Sequence, residues 1–486
     1  MVSVNSHVPN QTITPGSSRS ALDDLAQFVR KRREQKPGAS DFAQFEQSLH
    51  QHVMAVEREI LAEELARADI DVEAVEVDGV TFRRAVRSIG HYQTAAGVVE
   101  VERTLYRSRR EGSDGRSFAA LDRSLGIVEG RWTPLAAKQA AWVVTHLTPS
   151  QGEDLLQRLG NMTPSKSSLE RLPKQVLDER HGDRGGIEEA LRNDEHVPDE
   201  AVTASVSLDG VMAPMRDGAA QQKRQETADN GQLTRGPAGY REVGCGTLSF
   251  HDADGEVLRT VRIGRMPEPK KETLKTMLKA ELGRALAERP ELRVIALADG
   301  AADNWSYLQD EVLALLPEVA SKVAVLDFFH AAEHVSAAFG AAYGEGSVKA
   351  RSKFDQYRRI LLEDPRGVDK TIAALSRLSK KMPKKVKLAS VVRYLRTHRS
   401  MMRYAEYREA GLPIGSGIVE AACKTLVTQR MKHSGMRWSQ QGGQAILDLR
   451  SWEQSDRFDR AWALIAARYK AEVHTLANVV SLPIAS

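Results

Sequence analysis

A multidomain chain of mixed α/β (α+β) class is what the sequence predicts, and three observations carry that prediction. The segments Val206-Ser207-Leu208-Asp209-Gly210 and Val294-Ile295-Ala296-Leu297-Ala298-Asp299-Gly300 are short apolar runs, each closed by a carboxylate and a glycine. Such runs read as buried strands. Gly415-Ser416-Gly417-Ile418-Val419-Glu420 reads instead as a glycine turn that opens a helix, with a carboxylate inside its first turn. Around these pieces lie segments of helical periodicity. The 486 residues exceed one ordinary core, and roughly two to four domains are expected.

Residues 1–20 are rich in Ser, Asn, Thr and Pro and lack an apolar stretch. They are expected to be a disordered tail and carry no secretory leader. Residues 41–130 read as an N-terminal helix and a small β region. Over 41–68, Phe42, Phe45, Leu49, Val53, Val56, Ile60 and Leu61 recur near helical spacing. Val80 to Arg83, His91 to Thr94, a turn at Ala96-Gly97 and Val98 to Tyr106 then suggest a meander or hairpin. Arg103, Arg107, Arg109 and Arg110 stand at its end, within reach of phosphates or as ordinary surface arginines.

Residues 131–180 are helical, with Pro134 suited to a first turn. Ser150 to Leu159 reads as one short helix, Gly160 to Thr163 as a turn, and Pro164 onward as a second helix. Pro164 to Arg171 then has the look of the start of a helix-turn-helix recognition helix, with Lys166 and Arg171 placed for DNA. An ordinary αα-hairpin has the same signature. Asp178 to Glu200 reads as a polar linker.

From 201 to 331 the pattern changes to strands and helices in alternation. A strand to Asp209 is followed by a loop, Arg216 to Gly239, and by strands Tyr240–Phe250 and Glu256–Arg265. Next come a helix Lys271–Ala287, the strand to Asp299, a helix Asn304–Leu315 and a strand Lys322–Asp327. Three strands, a helix, a strand, a helix and a strand is the element order of a ribonuclease-H-like core. Residues 332–414 are helical and too long for a loop, so they read as a basic helical insertion. The core closes with 415–470, which carries the Glu420 helix and C-terminal helices.

The chemistry follows from the carboxylates. Phosphodiester cleavage by two metal ions needs hard oxygen ligands that hold two Mg²⁺ about 4 Å apart. Strand ends suit such ligands because a sheet fixes their positions. On this reading Asp209 bridges both ions, Asp299 holds one and Glu420 the other. A strand-Asp-Gly alone is also an ordinary turn signal; the combination carries the weight. In Asp327-Phe328-Phe329-His330, an acidic residue and a histidine three apart at a strand end can place His330 beside the metals or the scissile phosphate, which gives Asp327 and His330 a catalytic or positioning role; the alternative is a structural histidine that caps the following helix. Downstream, Arg430, Lys432, Arg437 and Trp438 cluster around Gly435. The cations suit phosphates and Trp438 suits stacking on a base; the other reading makes Trp438 a core residue.

Composition narrows the partners. From Lys349 to Arg403 there are 17 Lys and Arg against 4 Asp and Glu, a density that favours a polyanion over a merely solvated helical face. No apolar run reaches the ~18–20 residues that span a bilayer, so no membrane partner is expected. Cys245 and Cys423 are the chain's two cysteines, without zinc-ligand spacing, which favours a reduced cytoplasmic protein over one with a structural disulfide. The absence of a GxxxxGK[ST] loop argues against an ATP-driven recombinase or kinase.

At these residues the sequence resembles the ISKra-type insertion-sequence transposases, bacterial DDE enzymes distantly similar to Mutator-like elements. The matching pieces are Leu208 to Gly210, Ala298 to Gly300, Leu326 to His330, Gly415 to Glu420, Arg430 to Ser439 and Gln444 to Arg450. Val101 to Tyr106, Leu121 to Gly126 and Ser165 to Arg171 extend the likeness, which runs from about residue 80 to 450. It implies a catalytic triad of Asp209, Asp299 and Glu420, accompanied by Asp327 and His330. Two Mg²⁺ ions, with Mn²⁺ as a substitute, are the implied cofactors. Double-stranded DNA, as terminal inverted repeats and as target, is the implied partner, bound by a homodimer or larger assembly in the nucleoid. The rivals are a structure-specific nuclease of the same fold and a domesticated transposase that only binds DNA.

Overall fold

The computed structural model describes residues 20–34, 42–108, 117–178, 184–216, 227, 229–231, 239–314, 316 and 321–476. The expected tail, Arg109, Arg110 and most of the loop 216–239 lie outside them. The chain divides into two compact units, one of residues 1–187 with 459–486 and one of residues 188–458. The segment 415–470 is therefore split, because from Asp459 the chain belongs to the first unit.

In the first unit, helices Ala21–Glu34 and Phe42–Arg67 pack together through Phe28, which stacks on Phe45 at 5.6 Å. An antiparallel sheet follows, ordered β10-β1-β2-β3-β4, from Ala74–Val77 (β1), Val80–Thr94 (β2), Gly97–Arg107 (β3), Phe118–Ala119 (β4) and Val473–Thr475 (β10). The two strand pieces expected before the turn are one strand. Polar Arg84 and Arg87 belong to it because the backbone ladder to β3 needs no apolar side chain, and Arg87 pairs with Asp71 at 2.7 Å. The β2–β3 turn spans Ala95 and Ala96, closed by the Thr94–Gly97 pair. Ala62 and Leu65 of the long helix bury against Tyr92, Val99 and Val101. Arg103 does not face solvent as a free phosphate ligand. It donates to Tyr92 and to the buried Asp122.

Three helices then run Pro134–His146, Pro149–Leu159 and Lys166–Val176. Thr148 and Gln151 form a reciprocal capping box that starts the second. Ser165 caps the third through the Ser168 N–H. The expected polar linker 178–200 instead contains a helix, Arg184–Asn193, inside which the unit boundary falls.

The second unit is built on a five-stranded mixed sheet ordered β7-β6-β5-β8-β9, from Thr203–Pro214 (β5), Tyr240–His251 (β6), Val257–Arg265 (β7), Arg293–Ala298 (β8) and Lys322–Leu326 (β9). β7, β6 and β5 are antiparallel, whereas β5, β8 and β9 are parallel. β5 does not stop at Asp209. It continues beside β6 to Pro214, while its pairing with β8 ends at Val206. A cleft can open where the parallel neighbour ends and the antiparallel one goes on.

Helix Glu272–Glu288 packs on this sheet, placing Leu274 and Leu278 against Gly244 and Gly246 of β6. After β9, helices Phe328–Tyr343, Val348–Glu363, Gly367–Lys381, Val386–Thr397 and Tyr404–Glu409 follow. Their apolar faces share one core with Val294, Ala296 and Leu326 of the sheet. Val419, Cys423, Leu426 and Val427 fill a second core with Ala213, Val243 and Cys245. Among the described residues, no helix is long and apolar enough to cross a membrane.

Candidate active site

Asp209 lies on the part of β5 that has lost β8, directly opposite Cys245 of β6. One carboxylate oxygen accepts from the Gly210 N–H at 2.7 Å, and the other from the Cys423 thiol at 3.7 Å. Burial raises the Asp209 pKa first, and the negative charge of Asp299 raises it further. The Gly210 N–H, Lys271 and Cys423 offset part of that rise.

Asp299 follows β8 directly, and its Oδ1 accepts from the Ala301 N–H at 3.1 Å and from Asn304 Nδ2 at 3.4 Å. The same Asn304 amide donates to the Leu208 carbonyl at 3.3 Å. One buried side chain thus ties the two aspartate-bearing strands together. The sequence reading missed Asn304, although its position five residues after Asp299, early in helix Ala302–Tyr307, was available as a signal.

Glu420 is exposed in the first turn of helix Gly417–Ala422, where the Ser416 hydroxyl donates to its Oε1 at 2.7 Å. That helix runs on into a wider π-turn, Cys423–Thr428, as the helix after Asp299 does over Leu308–Leu313. Such turns concentrate at functional sites. Asp209, Asp299, His330, Ser416 and Glu420 all line one cleft of about 280 Å³, together with Glu333, a fourth carboxylate that the sequence reading overlooked.

Asp327 is fully buried and both its oxygens accept hydrogen bonds. Oδ1 caps helix Phe328–Tyr343 through the His330 N–H at 2.5 Å, and Oδ2 accepts from the Ser416 N–H. Its own N–H donates to Ala298 at 2.8 Å, and the Phe328 N–H donates to Ile414 at 2.8 Å. Asp327 therefore joins the ends of β8 and β9 to the turn that presents Glu420.

The downstream cluster divides as well. Lys432 and Arg437 are exposed. Arg430 is 1% exposed, and burial pushes its guanidinium down to about 10. It lies over the Trp438 ring at 5.2 Å, and the indole N–H donates to the Met431 carbonyl at 3.0 Å. Arg430 is thus a packing residue, and Trp438 is half-buried, packed against the second core. In the first unit, Lys166 and Arg171 are exposed on helix Lys166–Val176.

No three acidic, histidine or cysteine side chains among the described residues form a ready-made metal cage. The donor set still fits Mg²⁺, which is commonly held by one or two carboxylates together with substrate phosphates. The mutual repulsion of Asp209 and Asp299 is the electrostatic signature that a divalent cation between them would relieve.

No family model matches the chain, and no curated protein matches it. Among solved structures it is similar to the Drosophila P element transposase strand transfer complex. That likeness has 12% identity over 69% of this chain and 81% of that one, with a TM-score of 0.28. A likeness at that level carries no argument about fold or function.

Proposed function

We propose that the second unit is a ribonuclease-H-like nucleotidyl transferase and that the chain is a DDE transposase of the ISKra type. The observation that supports this most is the convergence of Asp209, Asp299 and Glu420, from three separate elements, on one cleft. The strand order, with three antiparallel strands followed by two parallel ones, agrees with that reading.

Asp209, Asp299 and Glu420 would hold two Mg²⁺, which supply Lewis-acid activation of the attacking oxygen and stabilisation of the leaving one. The chain's own side chains do the rest. Asn304 fixes the separation of the Asp209 and Asp299 strands through its paired hydrogen bonds. Ser416 orients Glu420, and Asp327 holds Ser416 in place. His330, on the cleft wall, donates a hydrogen bond to a nonbridging phosphate oxygen. Lys432 and Arg437 neutralise phosphates beyond the cleft, while Lys166 and Arg171 of the first unit contact the terminal repeats. Hydrolysis at the element end frees a 3′ hydroxyl, which then attacks target DNA.

The test is cleavage of labelled DNA that carries the flanking repeats of the chain's own locus, in Mg²⁺ or EDTA, by wild type and Asp299→Asn. Metal-dependent nicking at the repeat boundary, lost in the variant, is expected. Repeat-specific binding without cleavage in either protein would favour a domesticated binder, and repeat-indifferent cleavage a structure-specific nuclease. Cleavage that survives in Asp299→Asn would sink the site.

A further inference from the structure

We propose that Tyr394, contributed by the helical segment between β9 and the Glu420 helix, is a positioning residue for Asp299. The inference rests on the cleft reading above and adds to it a residue that the triad does not contain. Tyr394 lies on helix Val386–Thr397, nearly a hundred residues beyond Asp299 in the chain. Its ring packs directly on the residue after Asp299. A Cβ at Gly300 would stand 2.5 Å from the ring's Cε2 and 2.8 Å from its hydroxyl oxygen, so only glycine allows this approach. His334 stacks on the ring at 4.1 Å and His398 lies at 4.8 Å, which fixes the ring in place.

The Tyr394 hydroxyl is buried and has no hydrogen-bond partner among the described residues. A buried hydroxyl without a partner is costly, and folded proteins rarely retain one without a use for it. Burial and the carboxylates of Asp299 and Asp327 disfavour its ionisation, and a phenol is in any case a proton donor at neutral pH. Those two carboxylates are its acidic neighbours. Both oxygens of Asp327 are occupied, by the N–H groups of His330 and Ser416. Among the described residues, Asp299 receives its two side-chain hydrogen bonds on Oδ1. It is the acceptor with room for a further donor.

The Tyr394 hydroxyl therefore serves the Asp299 carboxylate in the state in which the cleft holds DNA and divalent cations, fixing its orientation without neutralising its charge. A hydrogen bond to a metal-binding carboxylate typically alters affinity or activity by roughly 10–100-fold when removed. The helical segment thereby contributes to the chemistry of the sheet it packs on.

The experiment compares full-length wild type, Tyr394→Phe, Tyr394→Leu and Asp299→Asn by three readouts. These are the melting temperature without divalent ions, Mn²⁺ affinity by calorimetry, and single-turnover cleavage of repeat-end DNA. Tyr394→Phe is expected to keep or raise the melting temperature, because no bond is lost, while Mn²⁺ affinity and cleavage fall about tenfold or more. Tyr394→Leu, which also loses the ring, is expected to melt lower. A Tyr394→Phe protein equal to wild type in Mn²⁺ affinity and cleavage would overturn the assignment and leave the cleft reading intact. A clear loss of melting temperature in Tyr394→Phe would also overturn it, by revealing a structural partner for the hydroxyl. If wild type neither binds Mn²⁺ nor cleaves, or Asp299→Asn matches wild type, the cleft reading fails and the Tyr394 assignment fails with it.

Discussion

Asp209 is held in a place where its charge is disfavoured, by burial and by Asp299 across the cleft. Its folded pKa lies above the unfolded value of 3.8. The stability it contributes is thus fully present below that value and is lost as pH rises through the folded pKa. At neutral pH the ionised side chain is a net liability to the cation-free fold. Asp209→Asn is expected to melt higher than wild type at pH 7 without divalent ions, with the difference shrinking as pH falls toward 3.8. Thermal melts across pH check this, and a lower melting temperature at pH 7 would contradict it. The three cleft carboxylates were legible because each stands in a short, recognisable strand or turn context. Arg430 was misread because the cationic cluster around Gly435 drew attention to charge rather than to helix face. Read at helical spacing, Val419, Cys423, Leu426 and Val427 form a buried stripe that Arg430 continues, so the sequence did contain the correction.

Among the elements, the joint between β9 and the Glu420 helix depends on Asp327. Asp327→Ala removes a helix cap, worth about 1 kcal/mol. It also leaves the buried Ser416 N–H without its acceptor, at a cost of about 1–3 kcal/mol. A loss of roughly 2–4 kcal/mol in urea unfolding is expected. Cleavage should fall too, because Ser416 no longer orients Glu420. Unchanged stability would remove Asp327 from this role. The long helix Phe42–Arg67 and the strands β6 and β7 were legible from periodicity and turn residues. Helix Arg184–Asn193 was not, because Glu188, Glu189 and Arg192 made it look like a solvated linker. Its polarity has a physical cause. Glu188 is buried and accepts from the Trp452 indole at 2.8 Å, a partner 264 residues away that no local window reveals.

Across the whole molecule, buried charge is used at the two ends of the second unit. Arg457, near its last residue, donates to Glu195 at 2.6 and 2.8 Å and to Glu281 at 2.8 and 2.9 Å. All three side chains are almost inaccessible to solvent. Removing the cation leaves the two buried carboxylates with the longer pairs to Arg259 at 3.5 Å and Arg192 at 4.0 Å, and breaking such a group costs about 3–5 kcal/mol. Arg457→Met should lose stability on that scale by chemical denaturation. A change within about 0.5 kcal/mol, the size usual for surface substitutions, would show that the cluster is solvated in solution. The basic character of residues 349–403 was visible as composition, but the sharing of one apolar core between those helices and the sheet was not. Which residues touch across so many positions is a property of the folded chain alone.

Strand β10 carries a consequence for synthesis. β1 has Val473–Thr475 as its neighbour on one edge, with Val75 opposite Thr475 and Val77 opposite Val473. As the polypeptide leaves the ribosome, that edge of the first sheet must wait while the second unit, residues 188–458, is made. During those hundreds of elongation steps β1 presents unsatisfied backbone groups, a template for pairing with any other extended chain nearby. For a protein of this topology, co-translational folding and the risk of misassembly on the polysome are set by the moment at which β10 emerges.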